Sequence, residues 1–375
     1  MLRTISIKLL TTLDQYVLLE ELQNVFSTTC NSIVPFVIEQ RCWNRVALHN
    51  LVYDKLRNKG QLGSQMICNA IFAVCKAYKA QQVLGKIVKD EPAPQLVFRK
   101  SSVHFDKRTY TLTKCGQLSL YTLAGRIQVP FTMGDYQRKL FEQGAPKEAE
   151  LICKNGVWYF NLVLEIPDAP KVDKGVVIGV DIGENNLAAT STGKIFGGAQ
   201  LRHKRDCFLT QRRRLQSNGS QSSNQKLRKV SGREARHVKH LNHEISKAII
   251  AEARLAGASL IVLEDLTHIR ERIRAKKRER SRLHRWPFRQ LQQFIGYKAE
   301  NVGIGVIYVD PAYTSLTCAN CLSLGKRHKH QFKCSCGLLA HADCNASRNL
   351  ARIAMSADVA RAKVSWPNVG AICVP

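Results

Sequence analysis

Apolar and polar residues alternate in RTISIKLLTT near the N-terminus, which predicts one short strand. From about Asp14 to Ala80 the apolar spacing becomes helical, in LLEELQNVFSTTCNSIVPFVIEQ and again in SQMICNAIFAVCKAYKAQQVLGKI, where Ser64 is placed to cap the second helix. Beyond the break at DEPAPQL, short alternating stretches return as VFRKSSVHFDKRTYTLT, QLSLYTLAGRIQVPFT and AELICKNGVWYFNLVLEI. A helical block bracketed by strands predicts a helical insertion into a small β-barrel.

PDAPKVDKG, from Pro167 to Gly175, reads as a linker. After it the pattern changes to a buried strand, VVIGVDIG, followed by LAATSTG and KIFGG. A long basic helical region covers about Leu201 to Ala256, with a break at QSNGSQSSN. The all-apolar strand SLIVLEDL comes next, then a basic loop, an amphipathic helix and a third apolar strand, IGVIYVD. Strands alternating with helices predict an α/β layer. The tail after about Met355 carries no pattern.

Charge narrows the class of partner. The 375 residues include 57 Lys+Arg against 29 Asp+Glu, a formal net charge of +28. Such self-repulsion points to a polyanion as partner, and nucleic acid is the first expectation. The N-terminus does not read as a signal peptide, and no window approaches the ~20 apolar residues of a membrane span, so no membrane partner is expected. Thirteen cysteines without a secretory signal suggest a reducing cytosol, where paired cysteines more often hold metal than form disulfides.

Three acids stand out. Asp181 ends VVIGVD within a D-x-G-x-x-N run that includes Asn186, Glu264 ends LIVLE, and Asp343 opens the helical stretch before NASRNLARI. A carboxylate at the end of a hydrophobic strand is costly to desolvate unless it meets a cation. Together the three fit a site holding two Mg²⁺ ions for phosphodiester hydrolysis. Singly, each could be a helix cap or a loop residue, and strand phase leaves Glu264 and Asp265 as competitors. Cys318-x-x-Cys321 and Cys334-x-Cys336 enclose twelve residues, a spacing suited to one structural Zn²⁺. The second pair is tighter than usual, so His328, His330 or His341 are alternatives for the fourth ligand.

GVDIGENNLA, IVLEDLTHIRER, WPFRQLQQFIGYKAE, DPAYTSLTCANC and FKCSCGLLAHADCNASRNLAR occur in an order and at distances that resemble TnpB, the transposon-encoded RNA-guided nuclease related to type V CRISPR effectors. SQMICNAIFAVCKAYK and LYTLAGRIQVPF resemble its N-terminal half less distinctively. The resemblance implies an α/β multi-domain protein: a RuvC-like RNase H fold nuclease domain with an inserted zinc ribbon, preceded by a wedge β-barrel with a helical recognition insertion. The barrel's first strand is expected at 1–12, the recognition domain at 13–88 and the rest of the barrel at 89–170. The nuclease domain follows at 171–314, the zinc ribbon at 315–340, the third acidic motif at 341–356 and a tail at 357–375.

By the same resemblance, the catalytic and Mg²⁺-binding acids are Asp181, Glu264 and Asp343, which favours Glu264 over Asp265. The zinc ligands are Cys318, Cys321, Cys334 and Cys336, and folding of the ribbon positions Asp343. The family's second knuckle usually reads Cys-x-x-Cys, so Cys334-x-Cys336 is a departure. The implied partners are a guide RNA from the transposon end and double-stranded DNA carrying a short target-adjacent motif, in a prokaryotic cytoplasm at the nucleoid. Residues Ser64, Gln65 and Asn69 fall on a recognition helix, where amide side chains suit adenine. With Tyr53 and Lys76 they are candidate nucleic-acid contacts, as are Arg212, Arg213, Arg272, Arg274 and Lys276 of the basic tracts, which suit phosphates. A miniature type V effector is a close alternative. A nuclease-dead repressor fits less well, because the three acids are intact, and an unguided junction resolvase leaves the cysteine pairs unexplained.

Overall fold

The structure is a computed structural model that describes residues 1–88, 91–113, 116–266, 288–309 and 315–355. The chain forms two compact units, Met1–Pro167 and Asp168–Pro375, which divide inside the stretch read as a linker.

In the first unit the opening alternation folds as β1 (Leu2–Leu9), whose inward residues Ile5, Ile7 and Leu9 are buried. Three helices follow: α1 (Leu13–Gln40), α2 (Arg45–Lys59) and α3 (Ser64–Val83). α1 opens with a capping box in which Thr12 accepts from the Gln15 amide and Gln15 answers the Thr12 amide. α3 departs from expectation at its start. Ser64 is its first helical residue rather than its cap, and Gly63 holds the cap position with its amide donating to the Tyr121 hydroxyl at 2.9 Å.

The strands β2 (Val103–Phe105), β3 (Tyr110–Leu112), β4 (Gln117–Thr122), β5 (Gly125–Thr132), β6 (Ala145–Lys154) and β7 (Val157–Glu165) complete one antiparallel sheet in the order β2-β6-β7-β1-β5-β4-β3. Its two edge strands, β2 and β3, are separated by only residues 106–109. Seven flat strands would span about 29 Å, whereas so short a connection reaches only about 17 Å. The sheet therefore curls to near closure. Leu19, Phe26 and Ile33 of α1 and Ile67, Ile71 and Val74 of α3 share one core with Phe105, Trp158 and Phe160 of the sheet. A short helix, α4 (Asp135–Gln143), interrupts the strands; it buries no residue fully and rests on the core only through half-buried Leu140 and Phe141.

The second unit is built on a five-stranded sheet in the order β10-β9-β8-β11-β12. β8 (Val176–Asp181), β11 (Ala258–Glu264) and β12 (Gly305–Val309) run parallel, while β9 (Asn186–Thr190) and β10 (Ile195–Gly197) extend the sheet antiparallel beyond β8. The basic region folds as α5 (Ala199–Asn218) and α6 (Gln221–Leu255), broken at Gly219, whose φ of 67° suits glycine. The amphipathic stretch becomes α7 (Phe288–Glu300) and the last described element is α8 (Ala342–Met355).

Ile178, Val180, Ile261 and Leu263 pack against Ile245 and Ile249 of α6 and Leu291 and Ile295 of α7. On the other face Val262, Ile307 and Val309 pack against Leu350 of α8. Cover on both faces explains why these strands read as unbroken apolar runs. A small antiparallel sheet of β13 (Lys326–His328), β14 (Gln331–Lys333) and β15 (Leu339–His341) leads directly into α8. Among the described residues no helix is long and apolar enough to cross a membrane.

Candidate metal centre

Strand alternation brings two of the acids to one face. Val262 of β11 pairs with Gly179 of β8, and both face α8. Two residues further on, Glu264 and Asp181 take the same phase at the ends of neighbouring parallel strands. Asp265, one residue beyond Glu264, is exposed, and its amide donates to the Val309 carbonyl at 2.7 Å. Gln292 of α7 donates to the Glu264 main-chain carbonyl at 2.7 Å and so holds the end of that strand.

Asp343 arrives from the other direction, as the second residue of α8, and is 8% exposed. Its Oδ2 accepts from Asn186 Nδ2 at 2.9 Å and its Oδ1 from the Arg327 guanidinium at 2.9 Å. Burial, then the charges of Glu264 and Asp343, push the Asp181 carboxyl up to about 8, with Arg327 and the Ile182 amide opposing. A buried carboxyl raised by two neighbouring carboxylates is a place where a divalent cation would relieve the repulsion. Their hard oxygens suit Mg²⁺.

The four cysteines converge. Their sulfurs all lie within 4.8 Å of one another, with Cys321 to Cys334 at 3.4 Å and Cys318 to Cys336 at 3.7 Å. A tetrahedron with Zn–S near 2.3 Å has edges of about 3.8 Å, so the thiols already stand at the spacing a zinc ion needs. The Ser323 amide, then the neighbouring thiol of Cys334, bring the Cys321 thiol down to about 6. The Leu338 amide favours the Cys336 thiolate, but the thiols of its neighbours push it up to about 11. The tight Cys334-x-Cys336 knuckle still presents both sulfurs. Of the alternative ligands, His328 is exposed on β13, and His330 and His341 gather at Asp343 instead.

The thiol knot is tied to α8 by hydrogen bonds. Asn345, fully buried, accepts from the Ala319 amide at 2.9 Å and donates to the Thr317 carbonyl at 2.7 Å. Asn349 also donates to the Thr317 carbonyl, at 2.7 Å, and Arg352 to the Ala319 carbonyl at 3.1 Å. The residues on either side of Cys318, Thr317 and Ala319, thereby hold the helix that carries Asp343. Asn186 and Asn345 sit in runs that the sequence singles out, D-x-G-x-x-N and NASRNLARI, which name no partner for them. Arg327 and Gln292 gave no signal, since one more arginine or glutamine is unremarked in so polar and basic a chain.

The candidate nucleic-acid contacts divide. Asn69 is 2% exposed with its amide turned to the Met66 sulfur at 3.7 Å, so it faces the core and not a ligand, because α3 packs that side into the sheet. Gln65 donates to Asp106 at 2.7 Å and accepts from Arg108 at 3.1 Å. Tyr53 stacks on His49 at 4.6 Å. Lys76 lies 3.6 Å from Glu148 and 3.4 Å from Glu150. Arg212 pairs with Glu234 at 3.2 Å, whereas Arg213 is exposed on α5. Arg272, Arg274 and Lys276 lie outside the described residues.

Comparison with known proteins adds a family to this geometry. Residues 161–270 match the OrfB_IS605 model, described as "Probable transposase", and residues 288–350 match the model "Cas12f1-like, TNB domain". The chain is 32% identical over 241 residues to TnpB-like protein MJ0751 of Methanocaldococcus jannaschii, covering 60% of this chain and 85% of that protein. It is 31% identical over 230 residues to the CRISPR-associated endodeoxyribonuclease Cas12f1 of Sulfoacidibacillus thermotolerans, covering 52% of this chain and 50% of that one. The chain thus spans about half the length of that bacterial nuclease. In fold it is similar to Cas12f1 in a complex with sgRNA and target DNA, with a TM-score of 0.66 at 15% identity over 91% of this chain and 83% of that one. A second similar fold is the mini-RNA-guided endonuclease CRISPR-Cas_phi3, with a TM-score of 0.56 at 12% identity over 95% and 92%.

Proposed function

This chain belongs to the TnpB family, and from that premise we propose that it is a transposon's RNA-guided DNA endonuclease, cutting DNA beside a short target-adjacent motif. The observation that carries the reading is the meeting of Asp181, Glu264 and Asp343 at the C-terminal ends of two neighbouring inner strands of the five-stranded sheet, where burial and the neighbouring charges raise Asp181. The sheet is read as a RuvC-like nuclease core, and the thiol knot with β13–β15 as its zinc ribbon.

The three acids would hold two Mg²⁺ ions, which supply a polarised water and stabilisation of the leaving oxygen. Asp181 ends β8, the middle strand of the five, so its carboxylate is best placed to serve both ions. Asn186 and Arg327 orient the Asp343 carboxylate from opposite oxygens, and Gln292 fixes the strand end that carries Glu264. The four thiols would hold one zinc, which supplies no chemistry of its own when all its ligands are protein sulfurs. Exposed basic side chains such as Arg213 serve phosphate binding, while base pairing with the guide selects the sequence.

The test is a plasmid carrying target and adjacent motif, assayed for cutting and for binding. Asp181→Ala, Glu264→Ala and Asp343→Ala are each expected to abolish cutting while guided binding persists. Wild-type cutting by Asp181→Ala would falsify the active-site assignment, and loss of binding in all three would make the acids structural. A second reading, a miniature type V CRISPR effector, draws on the match of residues 288–350 to the Cas12f1-like domain. Sequencing the RNA that co-purifies separates the two: a transposon-end transcript supports the first, and a repeat–spacer transcript the second.

A further inference from the structure

Asp343 belongs to a second cluster as well. One ring nitrogen of His330, one of His341 and a carboxylate oxygen of Asp343 all lie within 4.8 Å of one another. His330 sits in the two-residue turn between β13 and β14, beside Lys329 with its left-handed φ of 52°. His341 ends β15, paired with Gln331, and the Ala342 amide donates to the His330 carbonyl at 2.8 Å. The hairpin register thus fixes the two imidazoles as neighbours, with ring centroids 5.5 Å apart and planes 22° from parallel.

The chemistry of this cluster differs from that of both centres described above. The Asp343 amide lies 3.3 Å from His341 Nδ1, at the long end for a hydrogen bond, so an ion that takes this nitrogen's one lone pair has only a weak contact to displace. Two imidazoles and one carboxylate with open positions are the donor set of zinc and of other late first-row divalent ions. Mg²⁺ takes oxygen ligands and would not select these rings. Ligand atoms around a tetrahedral ion stand about 3.4 Å apart, so the present spacing needs a modest closing movement. His330 is exposed and His341 half-buried, which leaves both rings room to turn. Arg327, on the Asp343 Oδ1, is 34% exposed and can yield its place to a cation by swinging into solvent.

We propose that His330, His341 and Asp343 form a binding site for a divalent ion of the zinc class, separate from the four-thiol knot, and that filling it withdraws Asp343 from Asp181 and Glu264. The withdrawal rests on the proposed nuclease activity; the binding does not. An ion at this site shares the one carboxylate that reaches both clusters, and its charge repels a second cation beside Asp181.

The experiment uses the full-length chain with its thiol-held zinc verified by elemental analysis. Zn²⁺ is titrated by calorimetry in excess Mg²⁺ into wild type, His330→Ala and His328→Ala, the last being a histidine of the same hairpin outside the cluster. Wild type and His328→Ala are expected to take up one further Zn²⁺. His330→Ala is expected to bind it at least ~10-fold more weakly, since loss of even an outer partner costs that much. Uptake by His330→Ala as tight as by wild type, or no further uptake by wild type, overturns the site. In the cleavage assay, Zn²⁺ at the filling concentration is expected to slow wild type and leave His330→Ala cutting. Equal slowing of both overturns the withdrawal of Asp343. If no protein cuts DNA under any condition, the nuclease reading fails while the calorimetry still decides the site.

Discussion

Gly179 of β8 lies so close to Ser347 of α8 that a Cβ built on it would stand 1.8 Å from the Ser347 carbonyl oxygen and 2.7 Å from the Ala351 amide nitrogen. Helix backbone rests directly on strand backbone at that point. Asp181 is two residues along the strand and Asp343 four residues back along the helix, so this contact sets the distance between two of the three acids.

Gly179→Ala is therefore expected to lift α8 from the sheet. Overpacking of this kind costs about 1–3 kcal/mol, and cutting should fall much further because the acids part. Gly197→Ala is the control, since a Cβ there meets nothing within 4 Å. Urea unfolding of both variants beside a cleavage assay checks it; equal behaviour of the two would remove the contact from the mechanism.

Asn345→Ala is expected to uncouple the thiol knot from α8. It leaves the Ala319 amide without its buried acceptor and the Thr317 carbonyl with Asn349 as its remaining side-chain donor, a loss of about 1–3 kcal/mol. Zinc content should stay at the wild-type value while the melting temperature and cutting both drop. A variant that loses its zinc would instead place Asn345 in the knot itself.

Cys318→Ser removes a buried thiol from the knot. Elemental analysis is expected to give one zinc per wild-type chain and none in the variant, with the second unit melting earlier. Wild-type protein without zinc would end the zinc assignment.

Asp181 gives a pH dependence with a definite sign. Its carboxyl is raised from 3.8 to about 8, so without metal the folded protein holds this proton where the unfolded chain releases it. The stabilising effect of the proton is full below about pH 4 and fades as pH rises towards 8. Thermal melts of metal-free protein should show this fall, Mg²⁺ should offset it, and Asp181→Asn should flatten it.

The net charge of +28 predicts steep salt dependence of nucleic-acid binding, with log K falling by ~0.7–0.9 per phosphate neutralised against log salt. Filter binding across a salt series measures the slope, and a flat response would deny the phosphate contacts.

The sequence by itself determined the elements whose burial is periodic or complete. β1, α1, α3, β8, β11, β12 and α7 follow from apolar spacing, because a face that must leave water has to repeat with the period of its backbone. α4 was hidden because nine residues with only Leu140 and Phe141 half-buried against the core are too short to show a period. The four thiols were legible from spacing, since knuckles are local, and the acids from their place at the ends of apolar runs. Tertiary structure alone decided what side chains meet across long stretches of chain. It turned Asn69 inward, since one helix face had to cover the sheet. The register that sets Val262 opposite Gly179 put Glu264 rather than Asp265 on the side of α8, because a one-residue shift in a strand reverses every side chain. It also brought Asn186, Arg327, His330 and His341 to Asp343, a convergence no local pattern encodes, because it depends on how α8 lies against β8.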